Sequence, residues 1–140
     1  MILLDTDHIT IYRLGEHPRA LTLQERLRSA HDTVATTAVT LEEQMRGWLE
    51  EIGRKRDVRQ QVPHYGEFTD LIRFFHDWTM VPFDVPSAER FLQLRKQRVR
   101  IGTPDLKIAS IALVNDALLL SANLRDFGKV PGLSVENWLR

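Results

Sequence analysis

The chain contains no cysteine, which excludes disulfides and thiolate chemistry and fits a reducing compartment. It also lacks an excess of either charge, since 19 Lys and Arg balance 19 Asp and Glu. Attachment to nucleic acid through bulk positive charge is thereby excluded, and any such contact must come from local patches. No run approaches the roughly 18 apolar residues of a membrane-spanning helix, and the opening residues lack the basic stretch and long apolar segment of a secretory leader. The expectation is a cytoplasmic protein with no membrane association. Repeats, low-complexity tracts and linkers rich in Gly, Ser or Pro are missing as well. Residues 1–140 are therefore expected to form one domain, long enough to bury roughly two-thirds of its unfolded surface.

What is present alternates between two periodicities. Residues 1–5, with the apolar run Ile2–Leu4, and ALLLS (117–121) read as buried strands, with β-branched TVATTAV (33–39) as a third. TMVPFD (79–84) is a weaker short strand because of Pro82, and LSVENW (133–138) reads as an edge strand. Ala20, Leu23, Leu27 and Ala30 recur at helical spacing, and a helix is predicted from Thr40 to about Gly53. Phe68, Leu71, Ile72 and Phe75 mark another helix after a break at Pro63, and Pro86 opens one running to about Arg98. Ile108, Ala109, Ile111, Ala112 and Leu113 are apolar nearly all round, which predicts a central helix. Strands alternating with helices imply an α/β fold with a parallel sheet covered on both faces. In open sheets of that kind, sites form beyond the carboxyl ends of the strands.

Acids stand at several such ends. Asp5 and Asp7 follow the first strand in MILLDTDHIT, and Asp126 follows the ALLLS strand. Glu43 in TLEE and Asp105 in GTPD lie in the first turns of predicted helices. Glu43, Asp105 and Asp126 each have an ordinary structural reading. Thr40 and Glu43 match a capping box, Thr103 and Pro104 an N-cap and N1, and Asn123 and Asp126 a capped turn. Taken jointly, a parallel sheet brings Asp5, Glu43, Asp105 and Asp126 to one edge. Like charges about 4 Å apart repel by about 4 kcal/mol at an effective dielectric of 20, so such a cluster either takes up protons or holds a cation. Oxygen-only ligands select hard ions, Mg²⁺ or Mn²⁺, which activate water and bind phosphate oxygens.

The blocks LLDTD, VTLEE followed by RG (39–47), IGTPDLKIA (101–109), and LLLSANLRDF with VPGLSVENW (118–138) resemble PIN-domain proteins in order and spacing, most of all VapC-type toxins of bacterial toxin–antitoxin pairs. The resemblance covers nearly the whole chain and implies a single PIN domain: a three-layer α/β/α sandwich with a central, mostly parallel sheet. It further implies a metal-dependent ribonuclease cleaving RNA such as tRNA or rRNA, a homodimer, and a cognate antitoxin whose tail enters the active-site groove. By position Asp5 and Asp105 correspond to the surest metal ligands, with Glu43 and Asp126 completing the pocket. Asp7, Ser121 and Asn123 are supporting residues; Ser121 stands where threonine is more usual.

Around this core, the five histidines show no metal-ligand spacing, which argues against zinc, and His8 reads as a loop residue. Arg54–Arg56 and the run from Arg95 to Arg100 are basic clusters in a neutral protein. The second precedes the Asp105 block, so Arg98 and Arg100 are candidate RNA contacts. Phe68, Phe74, Phe75 and Trp78 follow helical spacing and read as core or dimer surface, and Trp48 beside Gly47 as part of a partner-covered groove. Two rival readings stand beside the nuclease. One is a haloacid-dehalogenase-type phosphatase using Asp5 as nucleophile and Asp7 as acid; the other is a non-catalytic binding module stabilised by a metal ion.

Overall fold

A computed structural model describes residues 1–140. Five short strands form one sheet: β1 (Ile2–Leu4), β2 (Val34–Thr37), β3 (Met80–Val81), β4 (Leu118–Leu120) and β5 (Ser134–Glu136). They lie in the order β3-β2-β1-β4-β5, and every neighbouring pair is parallel. The chain winds outward from β1 through β2 to β3, then crosses back to β4 on the other side of β1. The reversal places the topological switch point at the carboxyl ends of β1 and β4, where α/β sheets open a crevice.

The helices are α1 (Thr6–Tyr12), α2 (Pro18–Ser29), α3 (Ala38–Arg54), α4 (Val58–His76), α5 (Val85–Lys96), α6 (Thr103–Val114) and α7 (Leu124–Phe127). Two apolar clusters flank the sheet. Ile2, Leu4 and Leu120 pack with Ile9, Leu23, Leu27, Leu71 and Phe75 from α1, α2 and α4. Leu3 and Leu119 point the other way, to Phe91, Leu94, Leu106, Ile108 and Ile111 from α5 and α6. Strand side chains alternate between faces, so a strand apolar at every position, such as ILL, requires cover on both sides. This is the expected three-layer α/β/α sandwich with a parallel sheet. α6 is central as its composition predicts: Leu106 and Ile108–Ala112 are all buried, and the Ser110 hydroxyl donates to Leu106 O at 2.7 Å.

Four local expectations are corrected. Residues 6–12 form α1, which the short apolar pattern after Asp5 does not announce. The helix predicted from Thr40 starts at Ala38, because Thr37 is its N-cap and accepts the Thr40 N–H at 3.1 Å. Glu43 is thus on the second turn and forms no capping box. Likewise Gly102, not Thr103, caps α6. Pro63 does not break the chain but lies within α4. Pro63 and Arg59 are both exposed, so the carbonyl that proline leaves without a partner is reached by water. Gln61 Nε2 also ties this helix to the end of α3 by donating to Ile52 O and Lys55 O.

Candidate active site

Asp5 leaves β1 and immediately caps α1, its Oδ1 accepting the Thr6 N–H at 2.8 Å. Its other oxygen accepts from Ser121 Oγ at 2.8 Å, just past β4. Two strands adjacent in space but 116 residues apart in sequence thus meet at the switch point through a carboxylate and a hydroxyl. Asn123, the N-cap of α7, extends the edge: its Nδ2 donates to Asp105 Oδ2 and to Asp126 Oδ2, each at 3.2 Å. Its Oδ1 accepts the Asp126 N–H at 3.4 Å, which is the capped turn read from Asn-x-x-Asp. Asp126 additionally lies 3.6 Å from Lys129 Nζ.

The electrostatics record how close the acids are. Burial, the largest cause, pushes Asp5 up to about 6, with the negative charges of Asp7 and Asp105 adding to it and the bonds from Thr6 and Ser121 opposing it. Glu43 is pushed up to about 7, by partial burial first and then by Asp5 and Asp105. Asp105 is also raised, by burial and then by Asp126, against the Asn123 hydrogen bond. Of the two adjacent glutamates, Glu43 faces this cluster, whereas Glu42 pairs with Arg46 at 2.8 Å on the exposed side of α3. Asp5, Glu43 and Asp105 thus each feel the negative charge of a neighbouring acid, and Asn123 joins Asp105 to Asp126.

Asp7 behaves differently. Burial acts to raise its pKa, but hydrogen bonds from His8 and from the Ala122 N–H prevail and hold it below the usual carboxylate range. Its Oδ1 lies 2.6 Å from His8 Nδ1 and its Oδ2 accepts the Ala122 N–H at 2.8 Å. With a partner on each oxygen, the Asp7 carboxylate is held in place from two sides. His8, expected to be a loop residue, is instead fully buried on α1. Sequence reasoning missed it for want of that helix; the apolar Ile9 and Ile11 beside it were the available signal.

As they stand, no three carboxylate, imidazole or thiol side chains are placed to hold a metal ion together; by chemistry, the donor set of this edge suits a hard divalent cation. Every donor is an oxygen, and the raised carboxyls register burial and mutual repulsion that such an ion would relieve. Beside the acids, Arg95, Arg98, Arg100, Gly102, Thr103 and Asp126 line a cleft of about 910 Å³. The two arginines singled out from the sequence thus share a wall with one of the four acids. Trp48 lies across a separate recess of about 410 Å³ with Thr6, Thr10, Arg13, Gln44 and Glu51. Phe75 is core, whereas Phe74 and Trp78 are partly buried against Tyr12, with ring centroids 6.2 and 5.0 Å from it. No helix is long and apolar enough to cross a membrane.

Comparison with known proteins agrees with this architecture. Over 136 residues the chain is 26% identical to Ribonuclease VapC2 of Rickettsia felis, covering 97% of this chain and 96% of that protein. Among solved structures, VapBC-1 from nontypeable Haemophilus influenzae superposes with a TM-score of 0.71 at 22% identity over 100% of both chains. VapBC2 from Rickettsia felis, bound to a DNA fragment from its promoter, gives 0.67 at 24% identity over 99% of both chains. The pattern of the PIN domain matches residues 2–133, almost the entire fold including each acid of the site, and the chain belongs to the PIN-domain family.

Proposed function

We propose that the protein is a Mg²⁺- or Mn²⁺-dependent endoribonuclease of the VapC type, the toxin of a toxin–antitoxin pair. The observation that carries this reading is the convergence of Asp5, Glu43, Asp105 and Asp126 at the switch point of a parallel sheet, three of them with carboxyls raised by burial and by one another. The likeness to a VapC ribonuclease and to VapBC complexes supports it. Asp5 and Asp105 would hold the ion, with Glu43 and Asp126 completing its shell. When bound, the ion supplies a Lewis acid that lowers the pKa of water and neutralises phosphodiester charge. Ser121 orients Asp5, and Asn123 holds Asp105 and Asp126 together. Arg98 and Arg100 offer cationic contacts to the RNA backbone along the neighbouring cleft. A homodimer, and an antitoxin tail occupying the groove in place of RNA, complete the proposal, with a tRNA or rRNA as target.

The test is RNA cleavage and growth inhibition by Asp5→Asn and Asp105→Asn proteins, with folding checked by circular dichroism. Both activities are expected to disappear in folded protein, and full activity of Asp5→Asn would end the proposal. The binding-module reading predicts instead that Mg²⁺ or Mn²⁺ raises the melting temperature while no RNA is cut by the wild type.

A further inference from the structure

His8 is fully buried beside the acids, and both of its ring nitrogens are engaged. Nε2 lies 3.1 Å from the Trp138 backbone nitrogen, and Nδ1 lies 2.6 Å from Asp7 Oδ1. A backbone N–H only donates, so Nε2 carries the lone pair and the ring proton sits on Nδ1, aimed at Asp7. Asp7 uses its second oxygen on the Ala122 N–H at 2.8 Å, with Ser121 Oγ 3.5 Å away. The three-residue segment that Asp7 grips is the one that sets the acids. Ser121 Oγ bonds Asp5 Oδ2 while accepting the Asn123 N–H at 3.0 Å, and Asn123 Nδ2 reaches both Asp105 and Asp126. At the far end, Trp138 is itself held. The Arg26 guanidinium stacks over its ring at 4.3 Å, and its Nε1 donates to Glu136 Oε2 at 2.6 Å.

We infer that His8 is a positioning residue, locked as the Nδ1–H tautomer by the chain after β5, which fixes Asp7 and through it the Ser121–Asn123 segment that orients Asp5, Asp105 and Asp126. Every link is a hydrogen bond, half-buried or better except at the exposed Ala122 N–H, and the order of links gives each ring nitrogen a separate task. Nδ1 acts on the acids, whereas Nε2 anchors the histidine. Asp7 is then the residue that clamps the loop rather than a ligand. The consequence for metal binding rests on the nuclease reading; the link from His8 to the loop does not.

The two tasks are separable by substitution. Asparagine places an amide N–H near the Nδ1 position and preserves the donor to Asp7. Glutamine places a carbonyl oxygen near Nε2 and preserves the acceptor for Trp138. His8→Asn and His8→Gln each delete one half-buried hydrogen bond, so a purely structural histidine predicts matching losses in both. The inference predicts a split. Amide hydrogen exchange at Ala122 is at least about 10-fold faster in His8→Gln than in His8→Asn, and Mn²⁺ affinity by calorimetry is lower by about 10-fold or more, the usual range for groups that orient metal ligands. Melting temperatures of the two variants stay close. Equal exchange at Ala122 in both variants would overturn the inference, as would a greater loss in His8→Asn. If the wild type neither binds Mn²⁺ nor cuts RNA, the nuclease reading fails, and exchange at Ala122 still decides the role of His8.

Discussion

Asp5 and Asp84 occupy the same kind of place. Each ends an extended segment and caps the helix that follows, Asp5 on α1 and Asp84 on α5. Yet their carboxyls move in opposite directions. Asp84 is held below the ordinary carboxylate range by hydrogen bonds from the Ser87 hydroxyl at 2.6 Å and the Ser87 N–H at 3.0 Å, with water around it. Asp5 accepts one cap bond from Thr6 and one from the distant Ser121 but is buried among other acids, and burial carries it up to about 6. A cap is a local arrangement of donors, and at Asp84 it acts on one oxygen while the rest of the carboxylate faces water. The environment of Asp5 comes from β4 and α6, more than 90 residues away, and it leaves a charge that the protein alone does not compensate. That residual need separates a site from a cap.

The largest effect expected from this contrast is on catalysis. Asp5→Asn should lower RNA cleavage by at least about 10³-fold, as loss of a central catalytic group does, whereas Asp84→Asn should leave the rate untouched. A gel-based time course on total RNA with and without EDTA measures both. Comparable activity losses in the two variants would erase the distinction between them.

Next in size is the dependence of stability on pH. The folded protein keeps the proton of Asp5 up to about 6, while the unfolded chain releases it near 3.8. The folded state therefore binds more protons over that range, and stability falls as pH rises through it. Glu43, released near 7 in the folded protein and 4.5 otherwise, extends the fall toward neutrality. For the buried Asp5 the difference corresponds to roughly 3 kcal/mol. Metal-free protein should consequently be less stable at pH 7.5 than at pH 5 in urea titrations, and Mg²⁺ or Mn²⁺ should restore the loss. Asp5→Asn should flatten the metal-free profile while abolishing activity. A wild-type profile that rises between pH 5 and 7.5 would contradict the burial argument.

The same contrast explains what the sequence reveals. The sheet, its parallel pairing and its two covered faces were legible because ILL and LLL are short apolar runs without alternation, set between helical segments, as doubly covered strands are. The four acids were legible because a parallel sheet collects strand ends, whatever the loops do. Helix starts were less so. Thr37 and Thr40 are equally good caps, and only tertiary packing decided that Thr37 would serve. Helix α1 and His8 were hidden because their partners, Leu120, Ala122 and Trp138, lie more than 100 residues away, and no local spacing encodes such contacts. Pro63 misled for the opposite reason: a local rule was applied where an exposed helix face tolerates its violation.

A smaller effect belongs to the cleft beside the acids. Arg98→Ala and Arg100→Ala should each weaken RNA binding by an Asp5→Asn protein, which binds without cutting, and should reduce the slope of log affinity against log salt by about 1. Filter binding across 50–200 mM KCl measures it. An unchanged slope in both variants would move the RNA path off this wall.

The smallest effect returns to Asp84. Because its folded-state pKa is depressed, its contribution to stability is present above the ordinary carboxylate pKa and fades as pH falls through the folded value. Asp84→Ala removes the cap and should lower the melting temperature at pH 7 by about 2–8 °C, the usual consequence of losing such a cap in a domain of this size. Near pH 3 the difference from wild type should shrink. The slope of this deficit with pH is opposite in sign to that of the Asp5 effect, so melting curves of Asp84→Ala, Asp5→Asn and wild type between pH 3 and 8 set the two aspartates against each other in one experiment. If both substitutions shifted stability in the same direction at every pH, position at a helix start would describe the two residues adequately, and burial among other acids would have no separate effect.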